Sequence, residues 1–161
     1  RLGAAVLRSG PAIEIDHLAL EVQLDRPYLV DVGFGDSFLR PLRLDTAGPQ
    51  RDDRGEWELL SSPQGTTLAE VIDGIPVAQY RFKRVEHHMA DFEAASLKLQ
   101  ADAEGTFRTN PLATRLLGNG ADRVTLFRDR LTLRSGAEIR EVPVAAADWD
   151  AVLAEWFGIR R

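Results

Sequence analysis

A chain of 161 residues, 44% hydrophobic and 28% charged, has the composition of a globular protein with a core of its own. Its net charge of −5 has acids and bases interspersed, which excludes nucleic acid as the main partner because phosphate binding needs clustered cations. No apolar run matches a membrane span and no signal-peptide pattern opens the chain, so no membrane partner and a cytoplasmic address are expected. The lack of cysteine excludes disulfides and thiolate metal sites.

In chain order, Ile13–Leu24 carries apolar residues at 18, 20, 22 and 24, the period of two that marks a half-buried strand. His17 falls on the other side, shared with Ala19 and Glu21. Asp25-Arg26-Pro27 predicts a turn, and Tyr28–Val32 a second strand ending at Gly33-Phe34-Gly35, so the two form a hairpin. Leu39–Leu44 reads as a short extended piece, and Thr46–Gly55 as a polar loop in which Asp52 and Asp53 are solvated. Trp57–Leu60, Thr67–Ile72 and Val77–Val85 continue as antiparallel strands of the kind that close into a small barrel.

Beyond them, Asp91–Gln100 predicts a helical turn or two. Arg123–Phe127, Arg130–Arg134 and Glu138–Val142 form a three-strand meander. In Ala147–Phe157 the apolar residues at 149, 152, 153, 156 and 157 mark an amphipathic helix that Gly158 stops. The expected fold class is α+β, mostly β: an antiparallel β-barrel followed by a β-meander and a C-terminal helix. Residues 1–85 are taken as the barrel domain and 86–161 as an α/β lid.

Asp31 stands between Val30 and Val32, and a carboxylate in so apolar a run needs a partner because burying it unpaired is costly. Gly33 and Gly35 bracket Phe34, letting the backbone turn and present an aromatic ring at a cleft mouth. With His17 these residues fit a Cys-His-Asp site, in which a thiolate attacks a thioester or amide, His shuttles the proton and Asp fixes the imidazole tautomer. The bland reading stands beside it: a strand histidine is more often packed or solvated than catalytic, and an Asp near a strand end is often a turn partner. The hairpin also opposes contact. A three-residue loop at 25–27 puts Glu21 opposite Asp31 and leaves His17 about 13 Å further along, so the two meet only through a bulge or a strand crossing.

The string His17-Leu-Ala-Leu-Glu-Val22, then Tyr28-Leu-Val-Asp-Val-Gly-Phe-Gly35, then Arg40-Pro-Leu-Arg-Leu44 resembles the His and Asp motifs of the arylamine N-acetyltransferase family. Tyr80-Arg-Phe82, Asp91-Phe92, Phe107, Arg123–Leu126, Leu131-Thr132 and Trp156–Ile159 extend the likeness in order over nearly the whole chain. The resemblance implies a cysteine-proteinase-like superfamily fold, with His17 as general base and acid and Asp31 as its orienting carboxylate. It implies that Phe34 lines the acyl and acceptor pocket with the Gly33 and Gly35 backbone. Acetyl-CoA is the implied acyl donor, an arylamine or hydrazine the acceptor, and no metal takes part.

The family's nucleophile precedes these motifs, in a helical region, and Arg1-Leu2-Gly3 matches the end of the helix that follows it. The resemblance therefore implies a C-terminal portion, barrel and lid, that is inactive alone and works with a missing N-terminal helical segment or a complementary chain. A barrel without that segment should expose an apolar face. Two other readings remain open: an amide synthase releasing a polyketide chain, and a non-catalytic barrel or binding module. The sequence departs from the family at Ala95 and Leu97 and over Gln100–Glu104, a region that approaches coenzyme A in the family. His87 and His88, adjacent and without a third ligand, read as solvated loop residues rather than a metal site. Trp57, Trp149 and Trp156 read as core or interface packing.

Overall fold

Antiparallel strands dominate the computed structural model of the protein, which describes residues 2–6, 15–101, 105, 109–118, 122–136 and 138–161. The chain divides into two units, Arg1–Lys98 and Leu99–Arg161.

The first unit is an eight-stranded sheet built from β1 (Leu2–Val6), β2 (His17–Gln23), β3 (Pro27–Val30), β4 (Leu42–Arg43), β5 (Gln50–Arg51), β6 (Glu56–Ser62), β7 (Gly65–Ile72) and β8 (Ile75–Glu86). The spatial order is β4-β3-β2-β1-β8-β7-β6-β5, every pair antiparallel. Leu2 and Gly3, expected at a helix end, instead open β1, because β1 fills the gap between β2 and β8 and bonds to both. The sheet curls into a nearly closed barrel. At the seam Gln50 stands in for a ladder: its Oε1 accepts the Arg43 N–H at 2.8 Å and its Nε2 donates to the Arg43 carbonyl at 3.0 Å. The segment expected as a featureless loop thus supplies both the edge strand β5 and the closing side chain.

Inside the barrel Leu2, Ala19, Leu29, Phe38, Leu42, Trp57, Leu68, Tyr80 and Phe82 form one core. Ala19 is fully buried while Leu24 is 68% exposed, so the interior face of β2 is the one shared with His17 and not the leucine stripe. The stripe residues Leu18, Leu20 and Val22 are half-buried on the outer face. Asp52, expected to be solvated, is a hub. Its Oδ1 accepts the Arg54 and Gly55 N–H groups at 2.8 and 3.1 Å, and the Trp57 indole N–H at 3.4 Å. Its Oδ2 accepts the Leu39 and Arg40 N–H groups. A carboxylate that gathers backbone donors this way builds its own turn.

After β8 come a 3-10 turn (Met89–Phe92) and helix α1 (Glu93–Ala101), where a helical turn or two is expected. The second unit has β9 (Ala113–Leu116), β10 (Arg123–Leu126), β11 (Arg130–Ser135) and β12 (Glu138–Pro143), in the order β12-β11-β10-β9. The expected meander is present, with β9 as an additional edge strand. Helix α2 (Trp149–Phe157) lays Trp149, Val152, Leu153, Trp156 and Phe157 on Val124, Leu126 and Leu131, the stripe its periodicity predicts. It ends where Gly158 adopts φ 69° and donates its N–H to the Ala154 carbonyl at 3.0 Å, a left-handed cap that suits glycine. Among the described residues no helix is long and apolar enough to cross a membrane.

Candidate active site

The hairpin register brings His17 and Asp31 within reach. The turn occupies Leu24–Arg26, Gln23 pairs with Pro27, and Leu20 pairs with Val30. Counting on from Leu20 and Val30 puts Asp31 level with Ala19, not Glu21, so His17 is two positions away instead of four. Such diagonal neighbours on one face lie about 7–8 Å apart at Cα, a gap that His and Asp side chains span together. The expected need for a bulge or a strand crossing is removed by a two-residue change of register. Proline at the first position of β3 is tolerated because that position can spare its N–H.

The His17 Nε2 lies 2.6 Å from Asp31 Oδ2. The His17 side chain is 14% exposed and the Asp31 side chain 0%. The second carboxylate oxygen, Oδ1, accepts the Gly33 N–H at 3.0 Å and the Phe34 N–H at 3.1 Å. Asp31 is therefore a strand-end turn residue and a histidine partner at once. The partner that its apolar neighbours call for is His17.

Burial alone would push the Asp31 carboxyl up. The His17 hydrogen bond and charge, the Gly33 N–H and the nearby Tyr80 hydroxyl oppose it and hold the group below the usual carboxylate range. An ionised carboxylate can only accept, so Nε2 carries the proton and donates it to Asp31. Whenever the ring is neutral, that leaves Nδ1 with the lone pair. Among the described residues Nδ1 has no hydrogen-bond partner, and it is the nitrogen open to a proton transfer.

Two rings fix the plane of the imidazole. Phe34 meets it edge-on with centroids 5.2 Å apart, Tyr80 lies 5.3 Å away, and Phe34 and Tyr80 touch each other at 4.9 Å. Tyr80, on β8, is fully buried. Its hydroxyl makes no hydrogen bond of normal geometry among the described residues, but burial and the charge of Asp31 both push the phenol up, so it stays protonated. Sequence reasoning noticed Tyr80 only as part of a resembling motif. Its place against His17 depends on β8 lying beside β1, which no local pattern reveals.

The glycines divide in role. Gly35 adopts φ +89°, which disfavours any side chain, whereas a Cβ at Gly33 would only touch the His17 Cε1 at 3.6 Å. Next to Gly33, Val32 is 94% exposed.

Other residues fall elsewhere. His87 follows β8, pairs through Nδ1 with Asp91 Oδ2 at 3.4 Å and meets the Phe92 ring at 6.1 Å, so it is not a simply solvated loop residue. Among the described residues no cluster of His, Asp and Glu is placed to hold a metal ion. Trp57 is fully buried, and Trp149 donates its indole N–H to the Phe127 carbonyl at 2.8 Å. Leu97 on α1 is 57% exposed, and residues 102–104 of the divergent stretch lie outside the described residues, as does Phe107.

A family model described as N-acetyltransferase matches residues 1–160. The chain belongs to the arylamine N-acetyltransferase family. Solved structures of the family share the fold. The Salmonella typhimurium arylamine N-acetyltransferase superposes with a TM-score of 0.89 at 24% identity, covering 98% of this chain and 60% of that one. The M. tuberculosis enzyme gives 0.84 at 25%, covering 98% and 61%. The Mycobacterium marinum enzyme in complex with CoA gives 0.84 at 24%, again covering 98% and 61%. The chain thus spans about three fifths of the length of the family structures it matches. No curated protein matches the sequence.

Proposed function

We propose that these residues supply the histidine and aspartate of a Cys-His-Asp acetyltransferase whose thiol comes from outside residues 1–161. The observation that carries this reading is the 2.6 Å contact of His17 Nε2 with a buried Asp31, which leaves Nδ1 open. In this reading residues 1–85 are the barrel that bears the dyad, and 86–161 are a lid. The protein is a cytoplasmic acyltransferase. The donor is acetyl-CoA, a choice supported by the CoA complex of the M. marinum relative, and the acceptor is an arylamine or hydrazine.

The chemistry follows from the open nitrogen. Nδ1 takes the proton of a cysteine thiol, and the resulting imidazolium, steadied by Asp31, keeps the thiolate charged. The thiolate adds to the acetyl carbonyl. When the tetrahedral adduct collapses, the C–S bond to coenzyme A breaks, and the proton on Nδ1 passes to the leaving CoA sulfur. The amine nitrogen then adds to the acetyl-cysteine, Nδ1 accepts a proton from nitrogen, and that proton returns to the cysteine sulfur as the amide departs. The transfer is ping-pong. Phe34 and the backbone at Gly33 and Gly35 border the space where acyl group and acceptor meet His17.

The test uses protein that contains these residues together with a cysteine-bearing segment. Mixed with radiolabelled acetyl-CoA and no amine, it should form a covalent acetyl-protein and release one equivalent of CoA. His17→Gln should slow that burst by about two orders of magnitude or more, as expected for losing a positioned acid–base group. An undiminished burst in the variant would refute the role of His17. Residues 1–161 alone should form no acetyl-protein.

A further inference from the structure

The loop after Asp31 carries Phe34, and β4 begins only at Leu42, so something other than a ladder must hold the loop in place. Asp31 pins its start through the Gly33 and Phe34 amides. Two residues on from Phe34, Asp36 is gripped from the turn before β6. Arg54 Nε donates to Asp36 Oδ1 at 2.8 Å and Nη2 to Oδ2 at 3.1 Å, a two-point fork. The third guanidinium nitrogen, Nη1, lies 3.4 Å from Glu70 Oε1 on β7.

Glu70 leads back to the site from the other side. Its Oε2 accepts the Gln79 amide at 3.5 Å. Gln79 is 1% exposed and is the bulge residue of β8, since Ala78 pairs with Ala69 and Tyr80 with Leu68. The next residue, Tyr80, packs on both Phe34 and His17. One guanidinium therefore ties the segment bearing Phe34 to β7, and through Gln79 to the strand bearing Tyr80. The same turn holds the loop once more beyond Asp36, where Asp52 accepts the Leu39 and Arg40 amides.

The arrangement is unlike a surface pair. The Arg54 and Glu70 side chains are 20% and 14% exposed and the Asp36 side chain 39%, and a fork onto a carboxylate fixes direction as well as distance. Without Arg54, the Asp36 and Glu70 carboxylates lose the cation they share, and the loop end of the clamp, which no strand ladder holds, is the end that can shift. We propose that Arg54 is a positioning residue of the active site: by clamping Asp36 to Glu70 it keeps the Phe34 ring against His17. Its catalytic consequence rests on the reading of His17 and Asp31 as a working dyad, but the geometry is tested without it.

The measurement is the cross-relaxation between the Phe34 ring protons and the His17 Cε1 proton, in protein labelled at both residue types. Arg54→Met, which keeps the volume and removes charge and fork, should lose that cross-peak while circular dichroism and the Trp57 indole signal stay native. A full-strength cross-peak in a folded Arg54→Met protein would overturn the proposal. If Arg54→Met does not fold, Asp36→Asn decides: it keeps the size of the side chain and weakens only the clamp, so an unchanged cross-peak there is equally fatal. Because this readout is geometric and the acetylation burst is chemical, either reading can fail while the other stands.

Discussion

Asp31 concentrates the chemistry of the site in one side chain. It is fully buried, it closes a turn with one oxygen and it orients His17 with the other. Because its carboxyl is held below its ordinary range when folded, it contributes stability that is complete above the unfolded value, about 3.9, and is lost as pH falls through the folded value. Asp31→Asn should therefore lower the melting temperature at neutral pH, and the gap from the parent protein should close on acidification below about pH 4. Thermal melts of the two proteins across that range check this. A gap that stays constant with pH would mean the charge of Asp31 contributes nothing. That Asp31 needs a partner was legible from Val30 and Val32 alone. That the partner is His17 followed from the family resemblance and not from the strand pattern, because a hairpin register displaced by two residues places the same sequence beyond contact.

At the scale of elements, the strands that carry the site were largely legible, but the inward face of β2 was not. Large apolar residues usually mark the core side, and here they lie outside. The interior near His17 is filled by the rings of Phe34 and Tyr80, and the small Ala19 leaves room for them. Helix α2 shows the opposite case. Its packing face is one continuous stripe against one sheet, so periodicity and structure agree position by position. The short edge strand β5 escaped notice because two residues carry no pattern, yet it anchors the seam. Gln50→Ala would leave the Arg43 N–H and C=O, both half-buried, without their partners, at a cost of about 1–3 kcal/mol. Chemical denaturation should register that loss, and amide exchange at Arg43 should accelerate with little change at Trp57. Equal acceleration throughout the barrel would show that the seam is not a local feature.

At the scale of the whole molecule, the family could be named from a short run of residues around His17 and Asp31, and the match over residues 1–160 agrees with it. The barrel holds an imidazole in a chosen orientation, but the 161 residues contain no thiol for it to serve. In the proposed enzyme the barrel contributes proton transfer and the nucleophile comes from outside residues 1–161. The account therefore depends on which imidazole nitrogen carries the proton. Long-range nitrogen–proton correlation spectra of protein labelled with ¹⁵N-histidine read this directly, taken at a pH alkaline enough for any imidazole to be neutral. The account predicts that His17 is the Nε2–H tautomer, with its Nε2 proton shifted downfield by the short bond to Asp31, and that Asp31→Ala abolishes both features. A His17 protonated on Nδ1, or divided between tautomers as a free imidazole is, would contradict it.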